Sequence, residues 1–97
     1  MEHVVIYNIP AHVTESEIAA MMERGREILG VIPGVHGVRT GKDLQNDGKY
    51  RYCWLIRFAS EAVAEAYRSH PDHVRFADEV FRPMAADRIT VDYEILN

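Results

Sequence analysis

The sequence predicts an α+β fold, a four-stranded antiparallel sheet with its helices on one face. Three observations predict it. The stretch Tyr50 to Phe58 alternates, with Tyr50, Tyr52, Trp54, Ile56 and Phe58 on one side and Arg51, Cys53, Leu55 and Arg57 on the other, the period-two pattern of a strand. Thr14-Glu15-Ser16-Glu17 matches a capping box and opens a stripe of Ile18, Met21, Met22, Gly25, Ile28, Leu29 and Ile32 at helical spacing. Extended apolar segments stand near both ends of the chain, so the elements run β-α-β-β-α-β, the split βαβ or ferredoxin-like order.

The 97 residues suit one domain, over 1–97, with a modest core that a second copy of the chain would help to stabilise. A formal charge of -4 with 47% hydrophobic residues lacks the basic excess of a nucleic-acid binder. No basic leader precedes a long apolar core and no stretch is apolar enough to span a membrane, so a soluble, cytoplasmic protein is expected. Cys53 is the one cysteine, which excludes an intrachain disulfide and suits a reducing compartment.

Glu2 to Ile9 reads as the first strand, ended by Pro10. It is apolar at nearly every position and so should be central and covered on both faces, with His3, Val5 and Tyr7 on one face and Val4 and Ile6 on the other. The capped helix follows and should break at Gly30, Pro33 and Gly34. Gly25 leaves a gap in its apolar stripe, for close packing on a strand or for a ligand; the sequence leaves both open. Val35 to Leu44 is a second strand interrupted by Gly37 and Gly41, as at a bulge or an edge. A polar turn at Gln45 to Lys49 joins it to the alternating strand in a hairpin. Ser60 should cap a helix resting on the sheet through Ala62, Val63, Ala66 and Tyr67. Val74, Ala77, Val80, Phe81 and Met84 continue a helical pattern as far as Pro83, and Ile89, Val91, Tyr93 and Ile95 alternate with polar residues in the last strand.

The chain is organised around Tyr67-Arg68-Ser69-His70-Pro71-Asp72-His73. The residue before a proline is driven out of the α region, so one helix should end near Ser69, and Pro71 suits the first turn of the next. His73 then sits one turn inside a helix start, whose dipole disfavours the imidazolium, while Asp72 acts in the other direction. A neutral imidazole near pH 7 can act as a base.

His3, Val31-Ile32-Pro33-Gly34, Phe58-Ala59-Ser60-Glu61-Ala62, the Tyr-x-x-His-Pro-x-His segment and Val91-Asp92-Tyr93 together resemble the stress-responsive dimeric α/β-barrel (Dabb) family across essentially the whole chain. The resemblance implies a homodimer with the two sheets packed face to face into a barrel. Two plant members, a cyclase that closes a linear polyketide by aldol chemistry and a lyase that makes or breaks cyanohydrins, work without metal or organic cofactor. In the cyclase, residues matching Tyr67 and His73 carry the proton transfers and a histidine matching His3 lines the pocket. Its pocket tyrosine and a further pocket histidine fall on Gly25 and Tyr52, so the wall, and with it the substrate, differs.

The chemistry also follows from the residue types. A base removes a proton next to a carbonyl while a hydroxyl steadies the oxygen on which charge develops, roles that fit His73 and Tyr67, with His3 as a third catalytic candidate. The cavity is expected between the helices and the sheet face bearing His3, Tyr7, Tyr52 and Trp54, walled by Met22, Gly25, Val63, Phe76 and Val80. For Tyr52 and Trp54, core packing against the helices is the stronger explanation. A metal on His3, His70 and His73 lacks a carboxylate at a known spacing, and neither a redox role for Cys53 nor base stacking by the tyrosines has a supporting motif. Two classes of function remain, a cofactor-free lyase, cyclase or isomerase acting on a small carbonyl compound, and a non-catalytic stress-responsive or small-molecule-binding barrel.

Overall fold

A computed structural model describes residues 1–45 and 49–97, so the centre of the polar turn expected at Gln45 to Lys49 lies outside the described residues. Strands β1 (Glu2–Tyr7), β2 (Val35–Lys42), β3 (Tyr52–Phe58) and β4 (Arg88–Tyr93) form one sheet in the order β2-β3-β1-β4, with every neighbouring pair antiparallel. This is the ferredoxin-like arrangement that the order of elements predicts, with β1 central. All four strands are shorter than the sequence pattern, β2 ending at Lys42 rather than Leu44. β1 stops at Tyr7 rather than Ile9, β3 begins at Tyr52 rather than Tyr50, and β4 ends at Tyr93, leaving Ile95 beyond it. β2 is an edge strand, and its register slips between Val35 and Gly37, a bulge of the kind that glycine permits.

Helix α1 (Glu15–Leu29) starts on the expected capping box, in which Thr14 Oγ1 accepts from the Glu17 amide at 3.1 Å and Glu17 accepts from the Thr14 amide at 3.2 Å. Its buried face is Ile18, Met21, Gly25 and Leu29, with Ile32 buried just beyond, while Met22 and Ile28 flank it half-buried. Gly34, at φ +84°, makes the turn into β2, a conformation that a side chain disfavours.

Helix α2 (Glu61–Ser69) is capped by Ser60, whose Oγ accepts from the Val63 amide. Ala64 and Tyr67 face the sheet and Val63 is half-buried, whereas Ala62 and Ala66 point to solvent. The pattern of alanines had put the wrong ones inward, because Tyr67 fixes the buried line and its i-3 partner is Ala64. His70 is extended and caps the next helix, its Nδ1 accepting from the Asp72 amide at 3.2 Å. Helix α3 (Pro71–Phe76) runs into a π-helical turn (Ala77–Phe81) and a last short turn α4 (Arg82–Met84), so the helical path crosses Pro83 before it ends. Val74 is exposed in it, and Phe76 takes the inward position.

The core is aromatic. Tyr7, Trp54, Phe76 and Phe81 meet mostly edge to face, with Tyr7 and Phe81 centroids 4.8 Å apart and Trp54 and Phe76 6.0 Å apart. Full burial of such side chains stabilises by about 1.5–3 kcal/mol each. Gly25 is filled space: a Cβ there would lie 2.3 Å from Trp54 and 2.8 Å from Phe76. The close-packing explanation of this glycine therefore holds.

The opposite face of the sheet carries Val4 and Ile6 of β1, Cys53 and Leu55 of β3, and Ile89, Val91 and Tyr93 of β4. The three β4 residues are exposed in the single chain, so β1 is covered on its helix side only.

Candidate functional site

The site grows out of the α2–α3 junction. Pro71 turns the chain so sharply that His73 comes back under Tyr67, their ring centroids 4.2 Å apart and their planes at 35°. His73 Nδ1 donates to the Arg68 carbonyl at 3.1 Å. A carbonyl oxygen only accepts, so Nδ1 carries the proton in the neutral ring and Nε2 keeps the lone pair. Burial is the main influence that lowers the pKa of His73 below the ordinary histidine range; Arg82 and His3 act in the same direction, against the Arg68 carbonyl and Asp78. The sequence had assigned this shift to the helix start and the opposing charge to Asp72. Asp72 instead faces His70, 4.0 Å from its Nδ1. Tyr67 is buried against Phe58, centroids 4.8 Å apart, and burial pushes its phenol well above the ordinary tyrosine range, offset in part by Arg82. It stays a neutral donor at any ordinary pH.

β1 and β4 supply the third member. His3 and Asp92 face each other across the ladder, and His3 Nδ1 donates to Asp92 Oδ1. Asp92 Oδ2 accepts from Arg68 at 2.7 Å, and Arg68 also bonds Glu65 at 2.9 Å. The carboxylate thus fixes the tautomer of His3 and leaves its Nε2 available as well. The rings of His3 and Tyr67 meet edge to face at 6.2 Å.

His3, Tyr67, Arg68 and His73 line one cavity of about 200 Å³ between the sheet and the helices. Of the residues expected there, His3, Trp54, Tyr67, His73 and Phe76 are on its wall. The others are elsewhere. Tyr7 is core, Gly25 lies under Trp54 and Phe76, and Val63 packs on Gly34. Met22 and Tyr52 border an open groove between α1 and β2, and Val80 borders another between α1 and the 71–84 helix. The wall gains residues that sequence reasoning missed, above all Arg68, Arg82, Arg88 and Thr90. Arg88 and Thr90 are the polar half of the alternating last strand, a half that the alternation alone assigns to neither face of the sheet. Among the described residues no group of His, Cys, Asp and Glu side chains is arranged to hold a metal ion, and His70, Nδ1 of which caps α3, is absent from the cavity wall.

The model of the stress-responsive A/B barrel domain matches residues 1–95. The chain belongs to that family. Olivetolic acid cyclase of Cannabis sativa is 25% identical over 96 residues, covering 96% of this chain and 94% of the cyclase. A dimeric ferredoxin-like protein of unknown function from Thermobifida fusca has a TM-score of 0.82 at 24% identity, over 97% of this chain and 89% of that one. The hydroxynitrile lyase of Passiflora edulis has a TM-score of 0.84 at 18% identity, over 98% and 92%. The chain is thus similar to enzymes and to a protein of unknown function alike, and the solved structures show the shared fold.

Proposed function

We propose that this A/B barrel protein is a cofactor-independent enzyme that moves protons on a small carbonyl compound, as a lyase, cyclase or isomerase. The observation that carries the reading is the contact of Tyr67 with His73 on the wall of one cavity, the histidine with its Nδ1 proton engaged and its pKa depressed. His73 Nε2 takes the proton next to the carbonyl. Tyr67 donates to the oxygen as negative charge develops there, which favours the transition state over the ground state. His73, protonated in that step, can return the proton from Nε2, and His3, oriented by Asp92 with its own Nε2 bare, is a second acceptor at the same end.

The working form is a homodimer. The apolar outer face of Val4, Ile6, Leu55, Ile89, Val91 and Tyr93 is the surface that a second sheet would cover. Light scattering is expected to give twice the chain mass, and a monomer at micromolar concentration would overturn this.

The reaction is tested by following loss of α-protons from small ketones and oxo acids by NMR in D₂O. Accelerated exchange is expected with the wild-type chain and a loss of about 10²–10⁴-fold in His73→Ala. Exchange no faster than in buffer across the panel, or unchanged in His73→Ala, would sink the reading in favour of a non-catalytic binding barrel.

A further inference from the structure

The acid and base proposed above occupy one end of the cavity, and their chemistry leaves the charge at the other end unused. The wall contains Arg68, Arg82 and Arg88 and, among the described residues, no aspartate or glutamate, in a chain whose formal charge is -4. Strand register orders these groups. On β4, Asp92 lies opposite His3, Thr90 opposite Val5 and Arg88 opposite Tyr7. Arg88 is therefore four residues, roughly 13 Å of extended chain, from the His3 end.

Arg82 arrives from the helical side. Its amide bonds the Ala77 carbonyl five residues back, and this widened π turn brings Ala77, Phe81 and Arg82 together onto the wall that also holds His73.

The three guanidinium groups are not equally engaged. Arg68 is held by two carboxylates, Glu65 and Asp92, and Arg82 by one, Asp78. Half-buried Arg88 makes a single hydrogen bond, to the Ala85 carbonyl at 3.1 Å, and among the described residues no carboxylate pairs with it. One neutral acceptor for five donors leaves a partly desolvated cation under-satisfied, and the two oxygens of a carboxylate are its natural complement. Directly across the ladder from Arg88, the fully buried Tyr7 hydroxyl also lacks a partner among the described residues.

We propose that the substrate is an oxo acid whose carboxylate is held by Arg88, while its carbonyl lies at Tyr67 and His73. Arg82 is felt at that carbonyl end, by Tyr67 and His73 alike. The carbonyl half of this assignment rests on the acid–base reading; the carboxylate half does not. A cavity of 150 Å³ takes benzene, so one of about 200 Å³ suits a molecule of roughly eight non-hydrogen atoms. Thr90, between the two ends, presents a hydroxyl to the middle of such a molecule.

The test is a binding measurement that needs no turnover. 4-Oxopentanoate and its neutral counterpart 4-oxopentanamide are titrated into the ¹⁵N-labelled full chain and followed by NMR. The acid is expected to bind about tenfold more tightly or better. Arg88→Gln, with its fold checked by the same spectra, should bring the acid to the level of the amide and leave the amide unchanged. Equal binding of the two by the wild-type chain, no binding of the acid, or an acid preference that survives in Arg88→Gln would overturn the assignment. The wild-type comparison decides by itself should Arg88→Gln fail to fold. Selective binding of the acid without α-proton exchange would overturn the acid–base reading and keep the anion site; exchange without any preference for charge would do the reverse.

Discussion

Tyr67 and His73 are six positions apart in the chain and their rings lie 4.2 Å apart centroid to centroid, because His70-Pro71 folds the start of α3 back under the end of α2. The pairing makes the phenol and the imidazole one unit whose parts can be removed separately. Tyr67→Phe keeps the ring that packs on Phe58 and deletes the donor alone. Its rate is expected to fall about 10²–10³-fold, with little change in stability and with the pH at half-maximal rate unmoved. Steady-state rates and a urea titration of the same sample check this; a rate within a factor of two of wild type would remove Tyr67 from the mechanism.

In the proposed mechanism Asp92 is a positioning residue, bonded to His3 and to Arg68 and absent from the cavity wall. Asp92→Asn keeps its volume and removes the charge that orients both partners. Loss of a charge-assisted bond of about 1.5–3 kcal/mol predicts a rate some 10- to 100-fold lower. A merely structural role would lower the melting temperature and leave the rate of the folded fraction alone, so the two are measured together.

Much of this site was legible in the sequence, for identifiable reasons. The Tyr-x-x-His-Pro-x-His segment fixes its own geometry, since proline dictates where one helix stops and the next starts, and this local constraint places Tyr67 and His73 whatever the rest of the chain does. His3 was legible through strand alternation. The far wall was not. Whether Arg88 and Thr90 or Ile89 and Val91 turn inward depends on the register of β4 against β1, a non-local fact, and hydrophobicity does not decide it because the apolar side is the outer face of the sheet. The π turn was equally hidden, as the apolar residues after Pro71 fit an unbroken α-helix. That extra residue shifts Arg82 onto the cavity wall.

Gly25 offers a test of the packing that closes the cavity on the α1 side. Gly25→Ala places a Cβ 2.3 Å from Trp54 and 2.8 Å from Phe76, two rings already wedged edge to face. Overpacking costs about 1–3 kcal/mol, against roughly 1 kcal/mol gained from the better helix former. A net loss of stability is expected, read as a lower urea midpoint with an unchanged slope. A midpoint higher than wild type would mean that the rings have room to move, and that the cavity can extend toward α1.

The pH profile tests the base itself. His73 faces Tyr67 and the Arg68 carbonyl, and feels Arg82, His3 and Asp78; burial dominates and disfavours the imidazolium. A base must be neutral to act, so the rate should rise with pH along a limb centred below the ordinary histidine value of 6.5. Tyr67 holds its proton well beyond the ordinary tyrosine range, so it should cause no fall in rate below about pH 10. Stability has its own sign. Because the folded pKa of His73 is depressed, the unfolded chain binds the proton first as pH falls through about 6.5, and the ring withdraws stability from there downward, while above that value it contributes nothing. His73→Gln should therefore abolish the ascending limb and flatten the dependence of urea stability on pH between about 6.5 and 5. An ascending limb that persists in His73→Gln would assign the base to another group, with His3, oriented by Asp92, the next to be replaced.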